Sequence, residues 1–152
     1  MQGKSRFLTA FLILILFPFG SVMAEKLKEG EWQGSLVNSL GKRYKLKYII
    51  RYNNEEEGKV LKIELINLDL KPMPKYTYNL ADIKQDKNEL NFKIPREHDM
   101  RKCTLTNQED GSYTGVCKST KATEGEESQI SMKPVPEPIP IPALREHEQP
   151  GG

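Results

Sequence analysis

The chain has 152 residues, room for one domain, with 23 Lys and Arg against 21 Asp and Glu. Lys4 and Arg6 belong to an N-terminal segment expected to be removed, which leaves 21 residues of each sign and no net charge in the mature chain. A neutral domain argues against nucleic acid and against a strongly anionic membrane surface as partners, because both require a basic excess.

Residues 1–24 read as a secretory signal peptide. Lys4 and Arg6 form the basic start, residues 7–17 are apolar apart from Thr9, and Pro18 and Gly20 break the run. Val22, Met23 and Ala24 place small or modest side chains at the cleavage positions, so the mature chain is expected to begin at Glu25. The apolar run falls well short of the roughly 20 residues that a spanning helix needs, so no membrane span is expected after cleavage. The protein is therefore expected in the periplasm or secreted. No cysteine follows the run, which argues against a lipid anchor.

From residue 30 to 133 the apolar pattern has the period of a strand. Residues 31–36 form the first candidate, with Trp32, Gly34 and Leu36 on one face. Residues 44–52 form the clearest: Tyr44, Leu46, Tyr48, Ile50 and Tyr52 share one face, and Lys45, Lys47 and Arg51 the other. Lys42, Arg43, Lys45 and Lys47 make a basic patch, which Glu55, Glu56 and Glu57 offset; it reads as a solvated strand face. Residues 53–59 are polar, include Gly58 and read as a turn. In residues 60–70, Leu61, Ile63 and Leu65 share one face while Ile66, Leu68 and Leu70 share the opposite one, so a bulge or bend is expected at Leu65-Ile66. Pro72 and Pro74 punctuate the chain. Tyr76, Tyr78 and Leu80 then mark a strand that continues toward Ile83, and Leu90, Phe92 and Ile94 mark another that Pro95 ends. Residues 102–107 and 112–118 form a hairpin, residues 120–127 a polar loop, and Ile130 and Met132 a last strand.

The fold class is thus all-β: about eight short antiparallel strands in an up-and-down barrel or strongly curved sheet over residues 25–133. Short connections favour the up-and-down order, and closure removes exposed strand edges. From Pro134 on, prolines at every second position through Pro142 remove ladder donors. Residues 134–152 are expected to be a polyproline-like, disordered tail, with a docking ligand or a spacer as its functional alternatives.

Cys103 and Cys117 are expected to form a disulfide, the default in an oxidising compartment. Glu109-Asp110-Gly111 suits a three-residue hairpin loop with Gly111 at the left-handed position. Counting outward from Gln108 opposite Ser112 sets Cys103 directly opposite Cys117, in a non-hydrogen-bonded pair with Cα atoms about 4.5 Å apart. Thirteen residues separate the two, which is not the spacing of a redox or zinc motif.

Catalytic chemistry is not evident. His147 falls in the tail, and His98, within Arg96-Glu97-His98-Asp99, lacks a second histidine in the folded part, so no metal site is expected. Neither a Gly-x-Ser-x-Gly elbow nor a Gly-rich phosphate loop occurs, and no cofactor or enzymatic activity is expected. The aromatic residues carry more. Trp32, Tyr44, Tyr48 and Tyr52 lie on one predicted inner surface and would border a ligand pocket if the barrel is hollow, or form the core if it is filled.

Gly30-x-Trp32-x-Gly34-x-Leu36 resembles the opening strand of lipocalins and of small exported bacterial domains of lipocalin-like shape. The resemblance covers about seven residues. It implies a barrel, an apolar ligand, and Trp32 as a structural plug at the barrel's base. Lipocalins usually place an arginine against this tryptophan; here the last strand offers Lys133. The expected function is an exported, non-enzymatic binding domain for a small apolar ligand or a protein partner. The alternative is an envelope structural or inhibitory protein with a solid core, acting through loops and the Pro-rich tail.

Overall fold

The computed structural model describes residues 26–56, 58–121 and 126–141. The signal peptide, His147 and the tail beyond residue 141 lie outside the described residues. Nine strands form one antiparallel sheet: β1 (Gly30–Val37), β2 (Arg43–Glu55), β3 (Gly58–Asn67), β4 (Thr77–Asn79), β5 (Ala81–Gln85), β6 (Glu89–Pro95), β7 (Met100–Asn107), β8 (Tyr113–Ser119) and β9 (Glu127–Pro134). Their order across the sheet is β4-β3-β2-β1-β9-β8-β7-β6-β5.

The two edges of this sheet are neighbours in sequence, separated only by Leu80. β4 pairs with β3, the Leu80 N–H donates to Ile63 O at 2.9 Å, and Ala81 already pairs with Lys93 of β6. One bent strand therefore spans both edges and draws the sheet into a nearly closed up-and-down barrel. Counted as one, β4 and β5 bring the total to the eight strands expected.

The alternation along β2 sets which surface is inside. Leu46, Tyr48 and Ile50 are buried, while Lys45 and Arg51 are exposed and Lys47 pairs with Glu31 across β1 at 2.6 Å. Ammonium groups buried without partners would cost several kcal/mol, so the tyrosine face turns inward. Leu27 and Leu80, Trp32 of β1, Ile63 and Leu65 of β3, Leu90, Phe92 and Ile94 of β6, Cys103 and Leu105 of β7, Tyr113 and Cys117 of β8, and Ile130 and Met132 of β9 complete the core.

Three local expectations change. The register of β2 against β3 runs unbroken from Glu55↔Gly58 to Leu46↔Asn67, so Leu65-Ile66 holds no bulge. Ile66 lies on the outer face, half-buried between its cross-strand partners Lys47 and Thr77. The irregularity falls instead between Ala81 and Lys84, where Asp82 takes φ 48° and the bent strand changes partners. Residues 53–55 and 58–59 belong to strands rather than to a turn: polar residues pair readily where both faces are wet at a barrel rim. Met73–Tyr76 forms a short 3-10 turn, so the strand after the prolines begins at Thr77 and not at Tyr76.

At its other end β9 reaches Pro134, which faces Trp32, and the Val135 N–H donates to Glu31 O at 3.1 Å. The Pro-rich segment therefore leaves the barrel as a continuation of the last strand. Glu137 meets Lys28 at 2.6 Å, an exposed pair worth little by itself.

Candidate functional site

The barrel differs at its two ends. At the end bearing the start of β1, Leu27 is buried. The Trp32 Nε1–H donates to Lys28 O at 2.9 Å, the Tyr52 hydroxyl donates to Leu27 O at 3.1 Å, and the Tyr52 N–H donates to a Glu29 carboxylate oxygen at 2.7 Å. Trp32 also packs against Tyr113, ring centroids 6.2 Å apart. The segment ahead of β1 thus seals this end, with Trp32 packed beneath it.

The middle is filled. Tyr48, Ile50, Leu90 and Leu105 are wholly inaccessible, and the Tyr48 hydroxyl donates to Ser131 O at 2.9 Å. Burial pushes the Tyr48 phenol far above the ordinary range, since an ionised phenolate would be stranded in apolar surroundings. The Cys103 and Cys117 sulfurs meet at 2.02 Å in the same core, with Cα atoms 4.0 Å apart and the predicted register.

The opposite end opens into a cavity of about 240 Å³. Leu36, Leu46, Leu65, Leu70, Tyr78 and Ile94 form its apolar walls, and Tyr44, Asn38, Asn67, Arg96 and Arg101 bring polar groups to it. Arg101 occupies an inward position of β7, in phase with Cys103 and Leu105. Its Nη1 donates to the Ser128 hydroxyl at 2.9 Å, whereas its Nε is buried with no hydrogen-bond partner among the described residues. Burial, and then the like charge of Arg96, pull its proton affinity down. Neither arginine makes an ion pair among the described residues. The nearby carboxylate of Asp99 is already committed: it accepts from the Ser119 hydroxyl and the Met100 N–H, each at 2.7 Å, which holds it below the usual range. The arrangement is a shallow apolar cup with an under-coordinated cation near its rim, at the start of β7, suited to an anionic head on an apolar body.

The four aromatic residues expected to border a pocket or to form the core take different places. Trp32 and Tyr48 belong to the packed interior, Tyr44 lines the open end, and Tyr52 lines a different cavity at the sealed end. No motif in the sequence marks Arg96, Arg101 or Asn67 as site residues, and Tyr78 stands out there only as a strand aromatic. The available signal was Arg101 itself, a charged residue two positions before a core cysteine on an alternating strand. His98 is exposed in the β6–β7 turn, and no group of three metal-ligating side chains occurs among the described residues.

The chain matches no family model, no curated protein and no solved structure. In the structure Lys133 pairs with Gln33 and stays exposed, while Pro134 stands opposite Trp32. The arginine–tryptophan contact of lipocalins therefore has no counterpart at Lys133.

Proposed function

We propose that this protein is an exported, non-enzymatic binding domain that takes a small apolar molecule with an anionic head at the open end of its barrel. The observation that carries the reading is the buried Arg101 Nε, left without a partner beside apolar walls. A buried donor without an acceptor costs about 1–3 kcal/mol, and an incoming carboxylate would relieve that cost. Export is supported by the signal features of residues 1–24 and by a cysteine pair that the β7–β8 register sets at disulfide distance. The cavity lies below the roughly 300–1,000 Å³ of typical drug-sized sites, so the ligand is small or leaves part of its tail outside.

Octanoate and octanol, titrated separately while amide shifts are followed, form the test. Octanoate should bind at the open end, octanol more weakly, and Arg101→Leu should weaken octanoate by about tenfold or more with little effect on octanol. Arg96→Leu, at an exposed position, provides a second variant that leaves Ser128 its partner. Equal binding of the two probes, or octanoate binding indifferent to both substitutions, would overturn the reading. The filled middle of the barrel and the docked start of the tail favour the alternative, a solid-core envelope protein acting through its surface. Absence of octanoate binding would leave that alternative standing.

A further inference from the structure

The barrel wall is open along one stretch, at the end remote from the Arg101 cup. β2 covers β3 along its whole length on one side, but on the other β4 covers only Glu64, Leu65 and Ile66, with Leu80 held to Ile63. Beyond that point the chain crosses to β6, and β5 has no strand on its second side. Two strand edges therefore face each other with nothing laddered between them among the described residues.

The Ile63 carbonyl points across toward Leu80, and backbone groups alternate sides along a strand. Leu61 and Lys59, two and four residues away, therefore direct their N–H and C=O groups into the opening. A cavity of about 550 Å³ occupies it, with Leu61, Leu80 and Ile83 as apolar lining. Lys26, Lys59 and Lys62 supply its charge; Lys26 and Lys59 make no ion pair among the described residues, and Lys62 has only an exposed contact with Glu55 at 3.2 Å. The acid that lines it, Asp82, is tied to Lys93, which holds its carboxyl below the usual range. Unladdered backbone, an apolar lining and a rim with more basic than acidic groups coincide here. Up-and-down barrels ordinarily leave no edge, so an open one is a template for an added strand.

We propose that this seam receives an extended acidic segment of a partner protein, which pairs with the backbone of Lys59 and Leu61, sets alternate apolar side chains on Leu61, Leu80 and Ile83, and places its carboxylates on the other face by Lys26 and Lys62. The recognition is by strand addition, independent of the cup at the other end.

The test uses the mature chain and three seven-residue peptides: one alternating glutamate and valine, one alternating lysine and valine, and the first with alternate backbone nitrogens methylated. The glutamate peptide should bind, protect the Lys59 and Leu61 amides from hydrogen exchange, and lose about tenfold in affinity when Lys26 and Lys62 are both changed to Glu. The lysine and N-methylated peptides should bind at least about tenfold more weakly. An unchanged circular dichroism spectrum of the same double variant reports that the fold is intact. Equal affinity for the methylated peptide would overturn strand addition. Indifference to the double charge reversal would overturn the acidic specificity. Concentration-dependent protection of Lys59 and Leu61 without any peptide would assign the seam to a second copy of this chain and overturn the proposal as well.

Discussion

Tyr48 illustrates what a single residue contributes when it is wholly inside. Its ring fills the centre of the barrel, and its hydroxyl reaches Ser131 O on β9, two strands away. Tyr48→Ala should lower unfolding free energy by about 3–5 kcal/mol, the usual cost of a large aromatic truncation. Tyr48→Phe should cost about 1 kcal/mol, the net worth of one hydrogen bond. Denaturant unfolding checks both. The pH dependence follows from the raised pKa. The folded state holds the phenol neutral, so its contribution is fully present below the unfolded value of about 10 and is lost as pH rises above it. In alkaline titration, ionisation of Tyr48 should coincide with loss of the far-ultraviolet circular dichroism signal, and Tyr48→Phe should remove that step from the absorbance at the phenolate band. A Tyr48 that titrates reversibly in the folded protein near pH 10 would contradict its buried placement.

The β7–β8 hairpin was legible as an element because its turn chemistry is local. Gly111 has φ 80°, the Gln108 N–H donates to Ser112 O at 2.7 Å, and the Asp110 carboxylate accepts from the Ser112 N–H at 2.9 Å. That loop dictates the register, and the register brings Cys103 opposite Cys117. Replacing both cysteines by Ala should cost about 2–4 kcal/mol in denaturant unfolding while the circular dichroism spectrum stays that of a β-protein. Neither cysteine of the unmodified protein should alkylate without reductant; labelling of both would refute the register. Two glycines were not legible in the same way. A Cβ at Gly34 would lie 1.8 Å from Ser131 O, and one at Gly115 would lie 1.9 Å from Thr104 O. Both mark close approaches of neighbouring strands, which depend on how sharply the sheet coils and not on the residues adjacent in sequence. The bulge was misplaced for a related reason. A change of face in the apolar pattern at Leu65-Ile66 looks like a bulge, but the outer face of a barrel accepts a half-buried isoleucine between lysine and threonine side chains.

At the scale of the molecule, residues 27–29 connect processing to stability. Leu27 is buried, and the carbonyls of Leu27 and Lys28 hold Tyr52 and Trp32. Cleavage before Glu25 leaves this seal whole, whereas cleavage beyond Leu27 would remove a core side chain. Intact mass of exported protein should therefore correspond to a chain starting at Glu25, less two hydrogens for the disulfide. Recovery of a chain that retains residues 1–24 in the membrane would contradict the reading.

The sequence by itself determined the fold class, the inward face of β2, the hairpin loop and the cysteine pairing. Each is written in alternation and turn chemistry local to its own segment of chain, where geometry follows directly from spacing. Only the tertiary structure decided that Trp32 and Tyr48 pack the core while Tyr44 and Tyr52 look out at opposite ends. It also decided that Arg101 lies beside Arg96 with Asp99 already engaged, and that the bent strand at Leu80 leaves β3 uncovered over Lys59 and Leu61. These depend on how the sheet curls and where it closes. That is settled by contacts between strands distant in sequence, and no local pattern along the chain records the outcome.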